Sequence, residues 1–213
     1  MLIVTANLKG GVGKTTLAVH LAAWLAEKGA SVALIDADMQ ASSSQWMKEA
    51  LPTIKVVQLQ TPDDVLEEAP KLGEEFGFVI ADGPAAMADL SRALLLRATK
   101  ALVLCGPSTL DFRASSAAVK VVKQAQSIRG GQPSAIFTPN KIQPHTRLSK
   151  DLLDAAEGVG IPIARTAIQF RQIYADAPGQ GTTVFQMGYR AREAIAELNA
   201  LFNEVVYGKT KNE

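Results

Sequence analysis

The chain predicts an α/β fold: a single domain with a mostly parallel, twisted sheet covered by helices on both faces. Three observations predict it. Short apolar runs alternate with longer amphipathic segments, which is the pattern of βαβ units. A glycine-rich turn joins the first apolar run to the first amphipathic segment. Several apolar runs then end in acidic or polar residues, at the strand ends where open α/β sheets take up ligands.

The elements follow in order. Leu2-Ile3-Val4-Thr5-Ala6 reads as a buried strand, and Leu17 to Leu25 has helical periodicity within a helix over 14–28 that Gly29 stops. Val32-Ala33-Leu34-Ile35 lies in a second strand over 31–35, followed by a helix over 42–49 and a strand over 54–58. Thr61-Pro62-Asp63-Asp64 starts a helix over 62–75, with a capping hydroxyl, a first-turn proline and acids at the positive end. Strands over 78–82 and 101–105 flank a helix over 86–98. A helix over 110–128 stops at Gly130-Gly131, ahead of a strand over 134–138. The remainder reads as a helix over 146–157, a short strand over 161–163 and a helix over 187–206. One domain over 1–207 is expected, with a frayed polar tail over 208–213.

Composition fits that reading. At 213 residues the length suits one α/β domain, and a 47% hydrophobic share supplies a sizeable core. A net charge of +1 gives no global polyelectrolyte character. One cysteine, Cys105, cannot form an intramolecular disulfide; it sits in an apolar run as a core filler and suits a reducing cytoplasm. The two histidines, His20 and His145, belong to no metal-ligand cluster. No signal peptide is read at the N-terminus, and no run approaches the about 20 apolar residues of a membrane span.

Most of the chemistry lies in Lys9-Gly10-Gly11-Val12-Gly13-Lys14-Thr15-Thr16. Strand, glycine loop and helix form the context of a phosphate-binding loop. The glycines let the backbone approach an anion, successive N–H groups point inward as a nest, and the helix start adds its positive end. Lys14 would reach the β- and γ-phosphates, and Thr15 would place its hydroxyl on Mg²⁺. The loop departs from the ordinary Gly-x-x-x-x-Gly-Lys-Ser/Thr form: Leu8 stands at the first glycine and Lys9 adds a second lysine. Further on, Asp36-Ala37-Asp38-Met39-Gln40 follows the second strand, its two acids on one side if the strand extends that far. Phe78 to Asp82 has the shape of a Walker B strand, whose Asp82 would bind Mg²⁺ through water. Gly83-Pro84 would then be a switch loop.

The loop resembles the deviant Walker A motif of the ParA/MinD family, and the Asp-x-Asp-x-Gln and Asp-Gly-Pro segments follow in that family's order. The resemblance covers nearly the whole chain and implies a P-loop NTPase fold with ATP and Mg²⁺ as cofactors. It implies that Lys14 holds the subunit's own nucleotide while Lys9 crosses a homodimer interface to the partner's ATP. Asp38 would position the attacking water near Mg²⁺, and Thr15, Asp38 and Asp82 would form the metal site. Asp111-Phe112-Arg113 falls near a partner-responsive segment. Asn140 and Pro139, with Pro144, would shape an adenine pocket, and the segment Pro178 to Phe185, which resembles the family's Gly-x-x-Val segment, would pack beside the base. The form that selects guanine, Asn-Lys-x-Asp, is not met because Gln143 replaces its aspartate.

Function then follows by resemblance. An ATP-dependent dimer would bind DNA non-specifically and position a plasmid, a chromosome or a large protein assembly, released by a cargo-side activating partner. Arg147, Lys150, Arg165, Arg171, Arg190 and Arg192, all in the last third, are the candidate DNA contacts. The expected location is the cytoplasm, on the nucleoid. Three alternatives stay open. MinD-like membrane association would need the segment 194–202 to be an interfacial helix, but its apolar spacing is that of a core-docked one and no stable membrane insertion is expected. A metabolic P-loop enzyme would need substrate-binding groups for which no clear constellation is present. A non-catalytic ATP-binding scaffold would lack the role given to Asp38.

Overall fold

A computed structural model of the chain describes residues 1–85 and 88–208, apart from the side chain of Ala88. Six strands form one sheet: β1 (Leu2–Ala6), β2 (Val32–Asp36), β3 (Lys55–Gln58), β4 (Phe78–Asp82), β5 (Lys100–Cys105) and β6 (Ser134–Pro139). Their order is β3-β2-β4-β1-β5-β6, and every pairing is parallel. The chain passes to one side of β1 for β2 and β3 and to the other side for β5 and β6, so β1 and β4 flank the switch point of the sheet.

Helices α1 (Lys14–Glu27), α2 (Ser42–Ala50) and α8 (Arg192–Tyr207) cover one face, packing on Ile3, Leu34, Ile80 and Leu102. Helices α3 (Pro62–Glu75), α4 (Ala88–Arg97) and α5 (Thr109–Ile128) cover the other, with α6 (Arg147–Ala156) completing it beyond β6. Both faces of the central strands are therefore dry, which is why they read as unbroken apolar runs. The start of α3 is as its sequence dictates: Pro62 opens it and Thr61 Oγ1 accepts from Asp64 N at 3.1 Å. Gly29, Gly130 and Gly131 carry the left-handed φ of chain reversals after α1 and α5.

Three expectations change. The run 161–163 is no strand; only Ile163 bridges Phe137, because Pro162 has no N–H to donate to a ladder. A helix not expected from the sequence, α7 (Ile173–Gly179), takes in Pro178 in its last turn. The last helix begins at Arg192 rather than 187, after a 3-10 turn over Gly188–Ala191. Positions 86–87 of the expected fourth helix, and 209–213 of the expected tail, lie outside the described residues.

Helix α8 buries Ala194, Leu198, Leu201, Phe202 and Val205 against the domain, so its apolar stripe serves the core. Among the described residues no helix is long and apolar enough to cross a membrane.

Candidate nucleotide site

The loop between β1 and α1 sits at the switch point. Gly11 and Gly13 have φ of 75° and 98°, a region costly for residues with a Cβ. A Cβ on Gly13 would also overlap the Asn140 amide. Helix α1 has no side-chain cap and no acid in its first turn. Its first N–H groups and its positive end are thus left for an anion.

The charged groups converge on that loop. Lys14 is buried, and its ammonium donates to Lys9 O at 2.9 Å. Burial lowers its pKa, and the Asp82 and Asp38 carboxylates oppose that shift. Thr15 Oγ1 donates to Asp82 Oδ2 at 2.7 Å. The other oxygen, Asp82 Oδ1, is buried without a hydrogen-bond partner. Burial pushes the Asp82 carboxyl up to about 7; the Thr15 hydroxyl opposes this, neighbouring Asp36 adds to it, and Lys14 and Ser43 draw it back.

Asp36 and Asp38 divide their roles. The strand stops at Asp36, so Asp38 does not continue its face but lies in the following turn. Asp36 accepts from Asp38 N at 3.1 Å and Ser44 N at 2.8 Å, fixing that turn to the start of α2. Asp38 stays partly exposed and acts on Lys14.

Lys9 lies outside the nest. Its ammonium pairs with Asp111 Oδ1 at 2.6 Å, with side chains 42% and 16% exposed. Asp111 is itself held by Ser108, which donates to Oδ2 at 2.7 Å and accepts from Asp111 N at 3.0 Å as the cap of α5.

An open cleft of ≈ 150 Å³ adjoins the loop, lined by Gly13, Thr16, Leu17, Asn140, Lys141, the run Ile168–Arg171, Tyr174 and Ala175. Asn140 Nδ2 donates to Val12 O at 2.7 Å and Lys141 Nζ to Gly11 O at 2.6 Å. The expected proline walls are absent from the lining. Pro139 is buried at the end of β6, where its carbonyl accepts from Ile168 N at 3.0 Å, and Pro144 is exposed elsewhere. Val184 also misses the cleft; its N–H donates to His20 Nε2 at 3.1 Å. The walls that sequence reasoning missed are Ile168, Phe170 and Tyr174. The signal for them was an aromatic pair four residues apart, Phe170 and Tyr174.

Of the candidate DNA contacts, Arg171 is only partly exposed and its guanidinium is engaged in ion pairs. It pairs with Glu197 at 2.7 Å and with Glu193, on the rim of the cleft.

The family model of the CobQ/CobB/MinD/ParA nucleotide-binding domain matches residues 3–184. The chain belongs to that family. This ParA/MinD-type chain is 30% identical over 210 residues to the maintenance of carboxysome distribution protein A of Halothiobacillus neapolitanus, covering 96% of this chain and 95% of that one. Its fold matches apo McdA from Cyanothece with a TM-score of 0.80 at 19% identity, over 96% and 98% of the two chains. An ATP complex of a McdA variant from Cyanothece matches at 0.73 and 19%, over 94% and 96%.

ATP and Mg²⁺ are this family's cofactors, and the residues present fit both. The uncapped α1 and the left-handed glycines suit a polyphosphate. Thr15 and Asp82 offer hard oxygen donors, and Asp82 Oδ1 lacks a partner. Among the described residues no three His, Cys, Asp or Glu form a metal cage.

Proposed function

We propose that this chain is an ATPase that closes into a homodimer around ATP, binds DNA non-specifically in that form, and positions a cargo. A large protein assembly of the carboxysome kind comes ahead of a plasmid or chromosome. The near end-to-end likeness to a protein named for carboxysome distribution carries this reading, and the geometry of the loop supports it.

Lys14 and the loop amides bind the phosphates of the subunit's own nucleotide. Thr15 and Asp82 would hold Mg²⁺, which when bound neutralises charge developing on the phosphates. Asp38, beside Lys14 and partly open to solvent, accepts a hydrogen bond from the attacking water and orients it. Lys9 leaves Asp111 to reach the partner subunit's nucleotide. The Asn140 amide nitrogen is engaged with Val12 O, so its free oxygen meets the base. An acceptor there favours the exocyclic amine of adenine over the carbonyl of guanine. A cargo-side protein stimulates turnover and so releases the dimer from DNA.

The test is electrophoretic retardation of an arbitrary duplex with the purified chain and Mg²⁺. Retardation with a slowly hydrolysed ATP analogue and none with ADP is expected. Equal retardation with both, or none with either, would sink the DNA-dependent positioning role.

A further inference from the structure

Of the five buried side-chain oxygens without a partner among the described residues, Ser43 Oγ and Ser44 Oγ lie in the first turn of α2 and Asp82 Oδ1 at the end of β4, and Ser43 is near enough to Asp82 to act on its carboxyl. Ser43 is fully buried and Asp82 is 1% exposed. Ser43 stands in the first turn of α2, whose start is fixed because Asp36 Oδ2 accepts from Ser44 N. Asp36 and Asp82 are register partners on adjacent strands, which brings the first turn of α2 over the Asp82 carboxylate. Asp82 Oδ2 is already held by Thr15. Buried polar atoms without partners are uncommon and mark a missing water or ion.

We propose that Ser43 is a positioning residue of the metal site, its hydroxyl fixing the Oδ1 side of Asp82 as Thr15 fixes the Oδ2 side. This rests on the nucleotide-site reading above. A hydroxyl can rotate to donate to the carboxylate or to accept from water in the ion's shell. Either way Ser43 acts through Asp82 and the ion's water rather than on the phosphates. In the metal-free protein no partner lies within hydrogen-bond distance of the same hydroxyl, and its pull on the Asp82 carboxyl is the smallest of those acting there; leaving it so costs stability that the loaded site recovers.

The experiment titrates MgCl₂ into wild type, Ser43→Ala and Ser44→Ala with a fluorescent ATP analogue, alongside thermal melts in EDTA without nucleotide. Partners that orient a metal ligand change metal affinity about tenfold or more. Ser43→Ala is expected to raise the half-saturating Mg²⁺ concentration about tenfold and to melt at or above the wild-type temperature in EDTA, with Ser44→Ala staying at the wild-type Mg²⁺ midpoint. A Ser43→Ala midpoint equal to wild type, or equal shifts in both variants, would overturn the assignment. A Ser43→Ala that melts below wild type in EDTA would mark a structural serine and overturn it too. Should wild type itself bind no nucleotide with Mg²⁺, the nucleotide-site reading fails first.

Discussion

At the residue scale, two charged groups have environments that set testable behaviour. Lys9 is not needed to build the nest, since its ammonium pairs with Asp111 outside it. Lys9→Ala is therefore expected to leave ATP affinity within about threefold while abolishing the ATP-induced doubling of mass in light scattering. A parallel loss of ATP binding would contradict the role given to it. Asp82 is a buried acid whose pKa rises from 3.8 to about 7. Between those values the folded state binds more protons than the unfolded chain. Its contribution thus favours folding at acid pH and is lost as pH rises towards about 7. In metal-free urea unfolding, wild type should lose more stability between pH 5 and pH 7.5 than Asp82→Asn, in which that titration is gone. Identical slopes would rule the titration out.

At the element scale, an imidazole helps tie α1 to the C-terminal third, beside Trp24, whose Nε1 donates to Asn199 Oδ1 at 2.7 Å. His20 sits one turn after Thr16, with Nδ1 at 2.7 Å from Thr16 O and Nε2 accepting from Val184 N. Trp46, Tyr174 and Phe185 pack edge-on around it. Both ring nitrogens are thus used by the neutral form, and burial lowers its pKa from 6.5 to about 4. Between those values the unfolded chain binds more protons, so this contribution is intact above about 6.5 and lost as pH falls through about 4. The sign is opposite to that of Asp82. His20→Ala leaves the buried Val184 N–H without its acceptor and opens a cavity. A loss of about 3 kcal/mol is expected in urea unfolding near pH 7, with a shallower decline between pH 6.5 and pH 4. An unchanged midpoint would show that the two elements are held together by other contacts.

At the scale of the whole molecule, the acidic side of α8 clasps the strip that lines the cleft. Glu204 accepts from Arg165 N, Glu197 from Gln169 N, and Glu197 and Glu193 hold Arg171. Nucleotide cleft and last helix are therefore one mechanical unit. Arg147, Lys150, Arg165, Arg190 and Arg192 remain exposed, and no global positive charge assists them, the net charge being +1. DNA retention by the ATP-bound dimer should accordingly be weak per subunit and fall steeply with salt. Measured across a salt series, the logarithm of the affinity should drop linearly with the logarithm of salt, and Arg171→Ala should leave that slope unaltered. A flat salt profile would exclude a phosphate-driven contact.

Local signals made much of this legible. Short apolar runs bounded by turn signals point to central parallel strands, and a glycine loop ending in Gly-Lys-Thr between strand and helix points to phosphate binding, so β1, the loop and α1 were readable from Leu2 to Glu27. The Thr61-Pro62 start of α3 was readable because capping is a short-range interaction. What the sequence could not convey was every contact closed across a long stretch of chain. Asp111 holding Lys9, Val184 completing His20, and Ile168, Phe170 and Tyr174 replacing the prolines as cleft walls each join residues far apart in sequence. The phosphate cradle was thus determined by eight consecutive residues, whose backbone angles are set by their own glycines. Where its second lysine rests, which carboxylate oxygen stays free and what lines the cleft beside the loop were decided only by the packing of α2, α5 and α8 around the sheet, because those distances exist only once the chain has folded.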